Sequence, residues 1–372
     1  MKALSRVIFG FLLLLSSVVL SSPSPVIKDF ALIDHLGKFH QLSYYGDQKA
    51  VVLYSHSLKF SESKRDIELL ARLQSEFVNE QVVFMMINAI GDESRDAIAG
   101  DPLVVEADFP VLLDETQLVA SDLEIKQVGE VLIIDAQDRG VFFRGSIDAA
   151  KPALEAIVAG KPPGLTRVSL QGPKIVFDPK LSSKEAVSYT KEIVPLLADN
   201  CVKCHREGAI APWAMSSHSM IKGFSPMIRE VVMTRRMPPG QIDPHVGRSI
   251  DNPPGLTAEE IKRLVSWIDS GSPQDGVLDP LESVEPAIEK FTLGDPDLVL
   301  AVPAQPIPAT GVIDYRYVPV PLNLDKDVWI SGMEFLAGDS EVLHHVIAYL
   351  TSPADKTAKA SSAGSRQNIA GF

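Results

Sequence analysis

The sequence predicts a multidomain protein with an α/β domain, then an all-α domain, and then part of an all-β domain. Three observations support this prediction. Residues 26–160 alternate between apolar strands and amphipathic helices, which predicts a mainly parallel or mixed sheet covered on both faces. Residues 183–276 carry helical runs with no strand between them, and from residue 290 onward short strand-like runs are separated by turn residues.

Composition limits the classes of partner. The chain has 372 residues, enough for two or three domains, and its apolar content of 45% is ordinary for globular proteins. The net charge of −13 argues against a basic face for nucleic acid or anionic membranes. We therefore expect no nucleic-acid partner.

Residues 1–22 have the pattern of a secretory signal peptide. Lys2 and Arg6 form the charged start, residues 7–15 form the apolar core, and Val19 and Ser21 suit cleavage after Ser21. The alternative is an uncleaved membrane anchor, although the apolar stretch is short for a span. No later stretch is apolar enough to cross a bilayer, so we expect a periplasmic or secreted bacterial protein.

The first domain, residues 26–160, is defined by its apolar periodicity. Continuous apolar runs predict buried strands, and apolar side chains at helical spacing predict helices. The predicted order is strand Ala50–Ser55, helix 61–79, strand 81–89, an extended segment 108–113, a hairpin of 129–135 with 140–144, and helix Lys151–Val158.

This order resembles the thioredoxin-like redoxins, closest to their thiol-peroxidase and thiol-disulfide branch, through the segments AVVLYS, VVFMMINA, FPVLLD and GEVLIID. The family's reactive cysteines belong in the loop 56–61, which contains none, and Gly129 stands where the family has a cis-proline. Without a thiolate there is no nucleophile for disulfide exchange. We therefore predict a redox-inactive scaffold or docking domain, in which His56 is a polar surface residue.

Residues 161–182 are predicted to be a linker, because they are rich in proline and glycine and have no sustained period. Three helices are expected in the next domain, at residues 183–199, 219–236 and 257–270. Pro195 would kink the first helix, and Thr257 with Glu260 forms a capping box for the third.

The pentapeptide Cys201-Val202-Lys203-Cys204-His205 contains the only two cysteines of the chain. C-x-x-C-H is the attachment signature of a c-type haem: each thiol adds to one vinyl group, and the histidine becomes an axial iron ligand. A disulfide and half of a zinc site are the alternatives. A zinc site would need two further ligands at recognisable spacing, and a redox C-x-x-C normally lies between a strand and a helix.

The second axial ligand is predicted to be Met237, because it follows a helix end and Pro238 and Pro239 stiffen its loop. A Met/His pair raises the reduction potential and suits electron transfer. Met227 and Met233 lie within the helix, where methionine more often fills a core, and His245 is expected at the surface or beside the ligands. The candidates that remain open are Met215, Met220, Met227, Met233, His218 and His245.

Residues 183–276 closely resemble a subfamily of bacterial cytochrome c domains. The matching segments are CVKCHREGAIAPW, PMIREVVMTRRMPP, DPHVGRSIDN and LTAEEIKRLVSWIDSGSP. The resemblance implies covalent haem on Cys201 and Cys204, with His205 and Met237 as the axial ligands.

Residues 290–372 carry strand-like runs at 297–302, 313–321, 328–336 and 342–350. They resemble the start of the first, jelly-roll-like domain of the peptidylglycine- and dopamine-hydroxylating copper monooxygenases, through DYRY at 314–317, residues 328–335 and LHHVIAY at 343–349. The resemblance implies that His344 and His345 bind one copper ion. Adjacent strand residues face opposite ways, so the pair would need a bend or bulge. No histidine follows His345, and we expect a truncated domain.

Three functions remain open at this level. We favour an exported c-type haem protein that carries single electrons between protein partners, in support of a copper monooxygenase-type domain. The second is a copper-dependent monooxygenase with haem as its internal donor. The third is a non-catalytic scaffold with a docking redoxin-like domain.

Overall fold

A computed structural model describes residues 26–161, 166–178, 187–241, 255–284, 291, 293–343, 345–350 and 367–371. The predicted signal peptide therefore lies outside the described residues. The chain divides into two compact units. The first is Met1–Ser183 with Glu230–Met237 and Ile242–Pro253, and the second is Lys184–Arg229 with Pro238–Gln241 and Pro254–Phe372.

The first unit contains a small antiparallel hairpin and a six-stranded mixed sheet. Its strands are β1 Ala31–Ile33, β2 Phe39–Gln41, β3 Ala50–Ser55, β4 Val82–Asn88, β5 Val111–Leu113, β6 Val131–Asp135, β7 Val141–Gly145 and β8 Thr166–Arg167. The sheet order is β5-β4-β3-β6-β7-β8. β4 runs parallel to β3 and β5, whereas β6 runs antiparallel to β3 and β7.

Five α-helices accompany these strands in the described part of the first unit: α1 Ser63–Glu76, α2 Arg95–Ala99, α3 Pro102–Ala107, α4 Leu118–Asp122 and α5 Lys151–Val158. Every residue of β3 is buried, and α1 buries Ile67, Leu70 and Leu73, which recur at helical spacing. A parallel β3–β4 pair joined through α1, followed by the antiparallel β6–β7 hairpin, confirms the predicted thioredoxin-like α/β fold. The short helices α2, α3 and α4 were not predicted, because five or six residues show too little periodicity.

The described part of the predicted linker differs from expectation, because it packs onto the sheet. β8 pairs in parallel with β7. Further along, Val128 donates its backbone N–H to the carbonyl of Pro173 at 2.9 Å, and Ile175 is buried. A two-residue strand and a single buried isoleucine give no sequence period, so the sequence pattern could not reveal them.

The second unit begins its described helices with a run that changes register at Pro195. Residues Tyr189–Ile193 form a π-helical turn, α6 spans Val194–Leu197, and Ala198–Val202 is again π-helical. Proline has no N–H to donate and crowds the preceding turn, so a local change of helical register is the expected response. Around Pro195 the run is therefore divided into two π-helical segments on either side of a single α-turn.

Two longer helices follow. α7 spans His218–Met233, and α8 spans Ala258–Asp269. Thr257 and Glu260 form both hydrogen bonds of the predicted capping box at the start of α8. On its buried face, Trp267 stacks on Tyr189 with ring centroids 5.6 Å apart. Among the described residues, no helix is both long and apolar enough to span a membrane.

The predicted β-rich segment differs most from expectation. Residues 293–343 contain no helix or paired strand where the structure describes them, and Val312 and Trp329 are 96% and 101% exposed. Only β9, Ile347–Leu350, pairs antiparallel with β10, Gln367–Gly371. The predicted strands at 297–302, 313–321 and 328–336 are therefore wrong. Alternating apolar residues specify a strand only where a neighbour pairs its backbone and covers one face.

Candidate functional site

The C-x-x-C-H motif continues the helical run that ends at Val202. The carbonyl of Cys201 accepts hydrogen bonds from the backbone N–H groups of Cys204, at 3.1 Å, and His205, at 2.9 Å. In a helical turn, residues at spacings of three and four lie on one face. The backbone therefore presents both thiols and the imidazole on the same side.

His205 has a defined hydrogen-bond partner for one ring nitrogen. Its Nδ1 lies 3.1 Å from the carbonyl oxygen of Trp213. Burial lowers the pKa of His205, and the hydrogen bond to Trp213 opposes this only in part. The ring is therefore neutral at pH 7, with its proton assigned to Nδ1 because a carbonyl can only accept. The lone pair is left on Nε2, which is the arrangement of a metal-binding histidine.

The loop after His205 folds back on the motif. Ala211 donates its N–H to the carbonyl of Cys204 at 3.2 Å, and Met215 donates to that of His205 at 2.8 Å. The indole of Trp213 stacks on the ring of Phe224 in α7, with centroids 4.2 Å apart. Backbone bonds and an aromatic stack thus hold the segment that bonds to His205.

The Cys201 thiol does not have the properties of a reactive redox cysteine. Both cysteines are free and half-buried. Burial, and then the neighbouring thiol of Cys204, raise the pKa of Cys201 to about 12. A protonated thiol is a poor nucleophile for disulfide exchange. Within the described residues, no group of three or more His, Cys, Asp or Glu side chains could hold a metal ion, so the zinc alternative gains no support.

These residues fit a covalently held haem. Two unpaired thiols share a face with a neutral histidine, and that histidine has a partner on the nitrogen that would not bind iron. The apolar side chains of Ile210, Met220 and Met227 are exposed in the same unit.

The candidates for the sixth ligand lie in different environments. Met237 follows the end of α7, where its N–H donates to Val231 at 3.1 Å, and its side chain is 41% exposed. Met227 was expected to fill a core but is 52% exposed. Met220 is also exposed, whereas Met215 and Met233 are buried. His218 bonds the carbonyl of Ser272 through Nε2, and His245 lies outside the described residues.

The loop that lacks the redoxin cysteines contains a buried histidine. His56 was expected at the surface, but it is 2% exposed, and its Nδ1 has no hydrogen-bond partner among the described residues. It directly follows β3, whose residues are all buried, so its side chain enters the interior. Burial lowers the pKa of His56, and the charges of Glu93 and Asp101 oppose this effect.

Glu93, which no sequence pattern marks, holds this loop. Its carboxylate accepts hydrogen bonds from Ser57 Oγ at 2.6 Å, Leu58 N at 3.0 Å and Asn88 Nδ2 at 2.6 Å. Gly129 has a φ of +84°, and a Cβ built there would lie 3.0 Å from the ring of Phe60. Glycine is therefore required at this position. Serine, glutamate and glycine thus form a packed corner that holds no thiol.

The copper prediction concerns His344 and His345. His344 lies outside the described residues. His345 is exposed, and its ring contacts the edge of Tyr315 with centroids 5.5 Å apart. Within the described residues no group of three or more His, Cys, Asp or Glu side chains could hold a metal ion, and the copper site stays a prediction of the sequence.

Solved structures similar to this chain match about two fifths of it. A hypothetical protein of Sinorhizobium meliloti is 19% identical, with 42% of this chain and 95% of that chain covered and a TM-score of 0.39. An uncharacterized conserved protein of Geobacillus kaustophilus is 21% identical, and the match covers 43% of this chain and 95% of that chain, with a TM-score of 0.38. A peroxidoxin of Mycobacterium tuberculosis is 22% identical, and the match covers 38% of this chain and 98% of that chain, with a TM-score of 0.33. No protein-family model and no curated protein matches the sequence.

Proposed function

We propose that this chain is an exported c-type haem protein that carries single electrons. Cys201 and Cys204 would hold the haem through two thioether links, and His205 and Met237 would bind its iron. The observation that carries the proposal is the hydrogen bond from His205 Nδ1 to the Trp213 carbonyl. His205 belongs to the helical turn that presents both free thiols on the same side. The bound haem supplies a one-electron iron couple.

The polypeptide has three tasks in this function. The helical turn would hold the two thiols that bind the haem, and the Trp213 carbonyl keeps the Nε2 lone pair of His205 available. The thioredoxin-like unit serves as a scaffold or docking unit, since its corner contains serine and glutamate in place of thiols. The partners are protein electron donors and acceptors, and the acceptor is a copper monooxygenase-type domain.

Haem attachment can be tested by expressing the full chain in a bacterial host competent for c-type maturation. We expect an α-band in the reduced spectrum and a mass increased by one haem that survives denaturation. Cys201→Ser with Cys204→Ser should abolish both. His205→Ala removes the imidazole that would bind the iron and should change the α-band. Lys203→Ala is the matched control, because Lys203 is an exposed residue of the same pentapeptide and its loss should leave the spectrum unchanged.

A colourless wild-type product with the mass of the polypeptide alone would contradict the proposal. Metal analysis separates it from the main alternative. Iron without copper supports the electron carrier, whereas stoichiometric copper with substrate-dependent oxygen consumption would make the chain a monooxygenase.

A further inference from the structure

Trp213 contacts His205 in two ways. Its backbone carbonyl accepts from His205 Nδ1 at 3.1 Å, and its indole centroid lies 5.0 Å from that of the imidazole, tilted by 60°. The indole also contacts Phe224, whose ring is nearly parallel to it, at 20°. The half-buried indole therefore links the imidazole to helix α7.

The carbonyl needs such support because of where it lies. It belongs to residues 206–215, which form no α-helix or strand and include Gly208 at a φ of +71°. Two backbone bonds, from Ala211 and Met215, fasten this loop on either side of Trp213. Trp213 itself is fastened by its ring, because Phe224 belongs to a helix of 16 residues. Stacked aromatic pairs stabilise a fold beyond the area they bury.

We propose that Trp213 is a positioning residue for His205, and that its indole, held on Phe224, fixes the carbonyl that accepts the Nδ1 proton. This inference rests on the proposed haem function. A fixed acceptor at Nδ1 raises the basicity of the coordinating Nε2. A more basic ligand favours ferric over ferrous iron, so the intact stack lowers the reduction potential of the haem.

The test compares four variants of the haem-loaded full chain by redox titration and by electron paramagnetic resonance of the ferric state. Trp213→Ala keeps the carbonyl but removes the stack, so the midpoint potential should shift upward and the ferric signal should change. Phe224→Leu removes only the supporting ring and should shift both in the same direction. Trp213→Phe retains a ring and should stay close to wild type. Trp329→Ala is the matched control, because Trp329 is 101% exposed.

Unchanged potential and ferric signal in both Trp213→Ala and Phe224→Leu would overturn the proposal, even if their melting temperatures fell. If Trp213→Ala does not accumulate, Phe224→Leu alone decides. A wild-type protein without haem would instead contradict the proposed function. The two failures are distinguishable, because haem content is measured before potential.

Discussion

His56 shows how one side chain in the first unit couples folding to pH. Its imidazole is 2% exposed and its Nδ1 has no described partner, so the charged form would be buried without a hydrogen bond at that nitrogen. Burial lowers its pKa from the ordinary 6.5, with Glu93 and Asp101 opposing and His35 reinforcing the effect. The folded protein is therefore more stable with the neutral imidazole than with the charged one.

We expect this histidine to make the protein less stable in mild acid. Because the pKa of His56 is lower in the folded protein than in the unfolded chain, the unfolded chain binds the proton first as the pH falls. The contribution of His56 to the free energy of unfolding is therefore fully present above pH 6.5 and falls as the pH drops below it. The melting temperature of wild type should therefore fall between pH 8 and pH 5.5 more steeply than that of His56→Phe.

Other groups contribute to the same curve. Burial also lowers the pKa values of His35 and His205, which act in the same direction. Burial raises the pKa of Asp114 to about 6, so its contribution is lost as the pH rises, which is the opposite direction. All three are present in wild type and variant, so the difference between the curves isolates His56. Equal slopes, with His345→Phe as the exposed control, would refute the assignment.

Residues differ in how much of their role the sequence could reveal. Cys201, Cys204 and His205 are neighbours in the chain, so their spacing alone predicts the chemistry. Glu93 bonds to Ser57 across 36 positions, and no local pattern announces that contact. His56 was misplaced for the same reason, since its burial depends on strands and loops that come together only in the fold.

At the scale of elements, helix α8 is the one that the sequence defines most completely. Its cap is visible as Thr257 and Glu260, three residues apart, and both reciprocal hydrogen bonds form. Buried Leu264, Val265 and Ile268 follow at helical spacing. Local chemistry and periodicity agree along this segment, which is why its predicted and observed boundaries differ by one residue at each end.

Removal of the cap should destabilise this helix measurably. Thr257→Ala loses the acceptor for the Glu260 N–H and should lower the free energy of unfolding by about 1 kcal/mol. Denaturant unfolding followed by circular dichroism measures the change. Thr310→Ala is the matched control, because Thr310 is exposed and lies in no helix or strand. Equal midpoints for the two variants would show that the capping box contributes nothing.

Elements that depend on distant partners were predicted less well. The strands β3 and β4 were correct, because each is a buried apolar run between parallel or antiparallel neighbours. Residues 313–321 and 328–336 were also predicted to form strands, but the described chain shows no strand pairing there. The β-propensity of a segment shows that its side chains would suit a strand. Whether the strand forms depends on backbone pairing with a neighbouring strand.

At the scale of the whole molecule, the described chain combines a densely packed sheet with a long stretch that lacks regular structure. The core of sheet and helices includes fully buried Tyr54, Phe143 and Leu154, whereas residues 293–343 leave most of their apolar side chains exposed. Local opening needs least free energy where few backbone groups are paired and few side chains are packed. Resistance to proteolysis should therefore differ sharply along the chain.

Limited trypsin digestion should detect this difference. We expect the first cuts after Arg316 and Lys326, which lie in the unpaired stretch, and later cuts after Lys64 and Arg72 of α1. Mass spectrometry of a time course gives the order. Early loss of α1 with residues 293–343 intact would contradict the expectation.

The thiol-free corner held by Glu93 has a further consequence for the cell. Two thiols in such a corner would give it an oxidised and a reduced form. This corner has no such pair of forms, because its loop bonds to a carboxylate and both cysteines of the chain lie elsewhere, at positions 201 and 204. Its surface should therefore stay the same in oxidising and reducing surroundings.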